Sequence, residues 1–261
     1  MTSDQRPTTD TFRQRFAARQ PLLGTFIKTP AVHPVEIIGD LGFDFVVVDQ
    51  EHAPFDRNTT DLALLAARAT GTAAIVRVPS ASPTDILSVL DGGATGVLVP
   101  HVATVAQARA LASACRYRSG SRGFSATSRA GGYGARKMWD HVSASDAETT
   151  VIAMIEDPHA LPEIEAIVGV EGIDGVFIGR GDLTVAFGAP NRDAPVIQEA
   201  VDTIIRAASA AGKPICVMVD GIAEAKAFHE RGATAFIVSS DQGLMRKAAA
   251  QARADFETIK S

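Results

Sequence analysis

Eight short runs rich in Val and Ile, each divided from the next by a stretch of helical periodicity, constrain this chain more than any other feature. The runs fall at 22–27, 45–48, 73–78, 96–99, 151–155, 175–178, 214–219 and 235–238. Continuous apolar runs of this length, closed by Gly or polar residues, read as strands buried on both faces, which is the habit of parallel sheets. Helical patterns fill 34–41, 61–70, 85–90, 106–116, 161–168, 196–211, 222–231 and 244–259. Right-handed crossovers lay each helix on the outer face of the sheet, so eight βα units close into a single (β/α)8 TIM barrel, an α/β fold. An open doubly wound sheet is the alternative. The 261 residues suit one barrel, and no linker or composition shift divides them. Residues 1–20 read as a polar N-terminal arm or short helix, and 21–261 as the barrel domain.

Two intervals exceed what a barrel needs. Residues 117–134 form a Gly-rich, basic stretch of the kind that carries function, and 182–193 insert between the sixth strand and its helix. Hydrophobic residues make up 46% and charged residues 21% of the chain, a globular balance without an apolar run of membrane length. The net charge of −5 and the lack of a basic stripe argue against nucleic acid as a partner. Cys115 and Cys216 fall in a helical and a strand pattern, away from any metal-ligand spacing, and read as core residues of a reducing compartment. Residues 1–19 hold no signal-peptide core, so the expected location is cytoplasmic and the expected partners are small molecules, not membranes.

In such a barrel the residues just past the carboxyl ends of the strands face the active site. Asp49, Gln50, Glu51 and His52 follow the second run, Arg77 ends the third, Glu156 and Asp157 follow the fifth, and Gly179, Arg180, Gly181 and Asp182 follow the sixth. Glu156 and Asp182 bring two carboxylates to neighbouring strands, where they repel unless a cation intervenes. Oxygen-only ligands favour a hard divalent ion such as Mg²⁺ or Mn²⁺. The alternative is a rim salt bridge from one carboxylate to Arg180 or another arginine.

His52 is the best candidate for a general base, because the neighbouring carboxylates Asp49 and Glu51 can set its tautomer. His101 is a weaker one, and a scaffold role is the plain alternative for both. His33, His141, His159 and His229 fall on helical segments, where capping or exposure accounts for them. Arg77 ends an apolar run and needs an anion, either a structural partner such as Asp49 or a substrate oxygen. Of the lysines only Lys28 follows a strand end, and a solvated lysine there disfavours Schiff-base chemistry.

With those residues in place, the chain resembles the HpcH/HpaI family of class II pyruvate aldolases from about Pro21 onward. The resemblance is carried by Gly42-Phe43-Asp44 leading into Asp49-Gln50-Glu51-His52-Ala53-Pro54, by Val76-Arg77-Val78-Pro79, and by Leu98-Val99-Pro100. Arg116-Tyr117 with Arg122-Gly123 adds to it, and the strongest stretch runs from Val170 through Ile173-Asp174-Gly175 to Gly181-Asp182-Leu183.

The resemblance implies that Glu156 and Asp182 hold the metal, Mg²⁺ or Mn²⁺ with Co²⁺ admissible, and that pyruvate chelates it. It implies that the Gly181 and Asp182 amides hold the substrate carboxylate and that Arg77 binds the keto oxygen. His52 with Asp49 matches the base assembly, and Asp91 an acidic residue supporting the histidine across a subunit contact. A hexamer, a dimer of trimers exchanging the last helix, is implied as well. Two departures bear on the substrate: Met154 stands where many relatives have glutamine, and Arg180 where proline is common.

The expected reaction is cleavage of a 4-hydroxy-2-oxo acid to pyruvate or hydroxypyruvate and an aldehyde. Val219, ending the seventh run, and the 117–134 loop are the candidates for specificity. A lyase or synthase acting on a citrate-like or acyl-CoA substrate is the enzyme alternative. A non-catalytic binding barrel is the other.

Overall fold

The computed structural model describes residues 11–259. Eight parallel strands close in sequence order into one barrel. They are β1 (Leu22–Ile27), β2 (Phe45–Asp49), β3 (Ala73–Arg77), β4 (Gly96–Val99), β5 (Thr150–Ile155), β6 (Gly175–Ile178), β7 (Ile215–Val219) and β8 (Ala235–Ser240). The closing pair, β1 with β8, carries a register irregularity between Gly24 and Phe26. This is the TIM barrel the alternation predicts, with strand ends shifted by a residue or two.

Alternation along each strand divides the apolar residues into two layers. Val46, Val48, Val76, Val97, Val176 and Val217 face outward and pack with the helices in the larger cluster. Phe26, Phe45, Val47, Ile75, Leu98, Met154 and Phe177 face inward and fill the barrel. Gly24 is part of that fit, because a Cβ there would collide with the Phe45 ring. Cys216 belongs to the inner layer and Cys115 to the outer, both as free thiols, and burial pushes Cys115 up to about 12. Neither is a nucleophile at neutral pH.

The helices that cover the barrel are α2 (Val32–Asp40), α3 (Arg57–Thr70), α4 (Pro83–Asp91), α5 (Val105–Ala114), α7 (Ile164–Val168), α9 (Pro195–Ala210), α10 (Ile222–Glu230) and α11 (Asp241–Glu257). Asp56 and Thr104 start α3 and α5 with capping boxes. The helical pattern at 161–168 resolves into a 3-10 segment, Pro158–Glu163, running into α7, since Pro162 cannot donate to an α-helical ladder. α11 buries no side chain within the chain.

Three further helices lie where the periodicity gave no clear stripe. α1 (Phe12–Ala17) caps the amino-terminal mouth of the barrel, with the Phe12 and Phe45 rings 5.4 Å apart and Phe16 against Gly175. α6 (Met138–Glu148) follows the long loop and buries His141 between Tyr117 and Ser145, so neither capping nor exposure accounts for that histidine. α8 (Arg180–Ala186) occupies the start of the insertion after β6.

Ion pairs fasten this end of the molecule. Asp174 accepts from Arg13 at 2.7 Å, from Arg116 at 3.1 Å and from the Val151 amide at 2.8 Å. Asp44 does the same for Arg15 and the Leu23 amide. Both aspartates belong to the motifs that carry the family resemblance, yet they sit at the end opposite the strand carboxyl termini and serve the scaffold. Replacing Asp174 by Ala strands the largely buried Arg116 and is expected to destabilise the fold by about 2–4 kcal/mol in a urea titration.

Candidate active site

β2 and β3 run in register with Asp49 opposite Arg77, the last residue of each strand. Asp49 is fully buried and takes Arg77 in a forked pair, Nε at 2.9 Å and Nη2 at 2.8 Å. Lys28 Nζ, just past β1, stands 3.2 Å from the same carboxylate. The amides of Glu51 and His52 also donate to it, at 3.2 and 3.1 Å, which folds the chain tightly after β2. Burial alone would push the Asp49 carboxyl up, but the hydrogen bonds and charge of Arg77, with the His52 amide and Lys28, hold it below the usual carboxylate range.

Asp49 therefore orders the backbone of His52 and does not touch its ring. The carboxylate beside the ring is Glu51, with Oε2 3.7 Å from His52 Nε2 and 3.3 Å from Arg77 Nη1. Glu51 thus joins the base candidate, the guanidinium and, at 4.0 Å, His101. Adjacency in sequence points to Glu51 beside His52, whereas its approach to the guanidinium and to His101 depends on the fold. Lys28 is committed to an ion pair, so it does not meet the requirement of a neutral Schiff-base amine.

Across the mouth, Glu156 follows β5 and is almost wholly buried. Its Oε1 accepts the His101 amide at 2.8 Å, an arrangement that holds His101 at a positive φ of 56°. The other oxygen lies against Gly179, where a Cβ would meet Glu156 Oε2 at 2.9 Å and the Glu156 Cβ more closely still. Only glycine at the end of β6 leaves room for this carboxylate. Burial pushes the Glu156 carboxyl up to about 7; the His101 amide and ring pull it down, and the charges of Asp182 and Glu51 push it further up. Burial would lower the His101 ring, but the Asp157 hydrogen bond and the charges of Glu156, Asp157 and Glu51 raise it.

Asp182 is exposed in the first turn of α8 and lines a cavity of about 450 Å³ together with Gly181 and Arg77. Arg180 pairs with neither carboxylate of the site. It turns inward, donating from Nη1 to Glu224 at 2.6 Å and from Nη2 to the Met218 carbonyl at 2.6 Å. The rim salt bridge considered from sequence is thus not formed by Arg180.

Two of the predicted site residues lie outside the lining of this cavity. Val219 is fully buried in the outer layer against the helices, because alternation along β7 turns its neighbour Met218 to the cavity instead. Asp91 ends α4 and is held by Arg122 Nη2 at 3.1 Å, beside a second cavity between α3 and α4 that also takes in Ser128 of the long loop. It makes no contact with His52 within the chain among the described interactions.

Residues 23–248 match the sequence model of the family described as HpcH/HpaI aldolase/citrate lyase. The chain belongs to the HpcH/HpaI aldolase family. It is 35% identical over 239 residues to the 5-keto-4-deoxy-D-glucarate aldolase of Enterobacter sp. (strain 638), covering 91% of this chain and 93% of that protein. Its fold matches a family protein from Burkholderia cenocepacia J2315 with a TM-score of 0.89 at 26% identity, over 95% of this chain and 98% of the other. It matches citrate synthase SbnG with a TM-score of 0.87 at 27% identity, over 96% and 98%. As a member of this family the chain is a carbon–carbon lyase acting on small molecules. No described helix is long and apolar enough to cross a membrane.

The raised Glu156 carboxyl has a signed consequence for stability. Its folded value lies above the ordinary 4.5, so the folded state holds the extra proton between those values and stability is lost as pH rises through about 7. In metal-free protein, Glu156→Gln is expected to stabilise the fold at pH 8, by on the order of 2–3 kcal/mol, and to change it little at pH 5. Urea titrations in EDTA at the two pH values measure the difference.

Proposed function

We propose that this enzyme catalyses the reversible, divalent-metal-dependent aldol cleavage of a 4-hydroxy-2-oxo acid to pyruvate, or hydroxypyruvate, and an aldehyde. The observation that carries this reading is one mouth shared by two opposed groups. Glu156 and Asp182 supply negative charge without a cationic partner strong enough to relieve it, and Arg77 stands rigidly across from them.

The residues present fit a hard cation. A carboxyl pushed up by burial, and further by two neighbouring carboxylates, is the electrostatic mark of a site that gains from a divalent ion. The donors are oxygens, which suits Mg²⁺ or Mn²⁺ and admits Co²⁺. Among the described residues no three His, Cys, Asp or Glu side chains form a ready cage, so Glu156 and Asp182 would share the ion with substrate and water. When bound, the ion supplies Lewis-acid polarisation of the 2-oxo group.

The chain's own groups then divide the work. Asp49 occupies Nε and Nη2 of Arg77, and Nη1, 3.3 Å from Glu51, is the donor it shares with the oxygen on which negative charge develops as the C3–C4 bond breaks. The Gly181 and Asp182 amides, at the open start of α8, receive the substrate carboxylate. His52, more than half exposed, takes the proton from the C4 hydroxyl in cleavage and returns it in synthesis. In the hexamer we infer, a dimer of trimers with α11 lying on a neighbouring subunit, Asp91 would support His52 from a second copy.

The likeness to a citrate synthase supports a second reading, a citrate-like or acyl-CoA substrate. A CoA ester needs free basic groups on its approach, and 116–136 is the basic stretch. There Arg116, Arg122 and Arg129 are engaged by Asp174, Asp91 and Asp61, leaving Arg118 and Arg136 outermost. That leaves the aldol reading better supplied.

Exchange of the pyruvate methyl protons in deuterated water tests it directly. We expect exchange with Mn²⁺ or Mg²⁺ and its loss in EDTA; undiminished exchange without metal removes the mechanism, and inhibition by acyl-CoA favours the second reading. Arg77→Ala is expected to lower kcat for cleavage by on the order of 100-fold or more. Near-normal turnover would leave Arg77 with its structural pairing alone.

A further inference from the structure

Glu156 and Asp182 reach the mouth of the barrel on unequal supports. Glu156 stands directly after β5, walled in by Gly179 and bound by the His101 amide. Asp182 is exposed and belongs to the first turn of α8, a helix of seven residues whose N-cap, Gly179, offers no side chain to its free amides. A helix this short is not stable by itself and takes its place from tertiary contacts. Of its seven side chains only Arg180 and Leu183 are buried.

Leu183 is an ordinary anchor in the outer apolar layer. Arg180 is of another kind, because a buried guanidinium needs partners within the protein, and each of its partners belongs to a different element. Nη1 donates to Glu224 on α10 and Nη2 to the Met218 carbonyl on β7, both at 2.6 Å, while the group lies 4.7 Å from the Phe228 ring centre. The second oxygen of Glu224 accepts the Asp220 amide at 2.7 Å, so the partner is itself tied to the loop after β7. Thr184 Oγ1 donates to the Arg180 carbonyl at 2.7 Å and steadies the backbone from the other side. Gly179 and Gly181 flank Arg180, so its side chain alone fastens this stretch.

We propose that Arg180 is a positioning residue for the divalent ion: through Glu224 and the Met218 carbonyl it fixes the first turn of α8, so that Asp182 and Glu156 can share one ion. The proposal rests on the metal-dependent reading of those two carboxylates and adds to it the device that assembles them. Without an ion the two repel each other. An untethered α8 would yield to that repulsion by carrying Asp182 outward, and an ion would then have to draw the helix back. The apparent dissociation constant rises by the inverse of the fraction of molecules that hold the competent arrangement. Glu224 also neutralises the guanidinium, so the tether brings no free positive charge to compete with the ion.

Mn²⁺ titrations followed by the electron paramagnetic resonance signal of the free ion test this without turnover. The Mn²⁺ dissociation constant is expected to rise by about tenfold in Arg180→Met, which keeps a stem against Phe228 and removes the donors. In Glu224→Gln, which leaves the guanidinium its Met218 carbonyl, the expected rise is about threefold. Far-UV circular dichroism and urea titrations establish that each variant is folded; should Arg180→Met not fold, Glu224→Gln carries the test. A tether that serves stability alone would lower the urea midpoint and leave the Mn²⁺ affinity of the folded protein unchanged, and that result overturns the proposal. Asp182→Asn separates the two failures. If it leaves Mn²⁺ affinity unchanged, or the unaltered protein binds no Mn²⁺, the metal-dependent reading falls and the tether with it. If Asp182→Asn weakens binding while the Arg180 and Glu224 variants do not, the tether alone falls.

Discussion

The forked pair between Asp49 and Arg77 is the interaction around which the mouth of this barrel is built. It joins two adjacent strands at the last residues of their shared register, so barrel closure itself brings the charges together. Burying an ion pair costs desolvation that the mutual attraction repays only when the geometry is good and the remaining lone pairs are used. Here they are used: Lys28 and the two amides after β2 take up the rest of Asp49. The consequence reaches past stability. A guanidinium fixed at two nitrogens, with its face 4.7 Å from the Phe26 ring centre, does not have to reorganise when charge appears on a ligand.

The opposite wall shows the reverse economy. Glu156 is as deeply placed as Asp49, yet its surroundings raise its carboxyl where those of Asp49 lower it. A fold selected for stability alone would not hold Glu156 beside Asp182 and Glu51 when, of the three, Glu51 takes the arginine and the partly exposed His101 ring and amide are what faces Glu156. Local conflicts of this kind concentrate at working sites. Gly179 shows that the arrangement is built in, since the backbone after β6 passes so close to Glu156 that no side chain fits there. One wall is thus neutralised from within the chain and the other is left for a ligand to neutralise.

Much of this was legible in the sequence, for physical reasons that also mark where legibility ends. A period-free apolar run closed by polar residues identifies a buried parallel strand, so all eight strands and the strand-end positions of Asp49, Arg77 and Glu156 follow from pattern alone. α1, α6 and α8 were harder, being short or without a single clean apolar stripe; α1 is anchored by two phenylalanines inserted into the barrel floor, a tertiary contact that no local pattern reports. Side-chain direction at a strand end was harder still. One step along β7 exchanges Val219 for Met218 as the cavity residue, and the bend after β2 gives Glu51, not Asp49, the place beside the His52 ring. The partners of Arg180 lie on β7 and α10, far along the chain, where neighbouring residues give no hint of them.

Met154 and Arg180, the two residues at which the family resemblance is imperfect, both line the cavity. Arg180 bridges the start of α8 to the β7 carbonyl of Met218 and to Glu224 on α10. It therefore shapes the wall that carries Met218 while leaving Glu156 and Asp182 unpaired by any charge of its own. Met154 lines the cavity from β5, so its floor is hydrocarbon and sulfur where an amide would have offered hydrogen bonds. Together with Phe26, Phe177 and Met218 it makes a surface that rewards an apolar stretch of ligand and gives nothing to a chain of hydroxyls. Glu156, two residues beyond Met154 at the same strand end, and Arg77 keep the charges of the mouth beside this apolar floor.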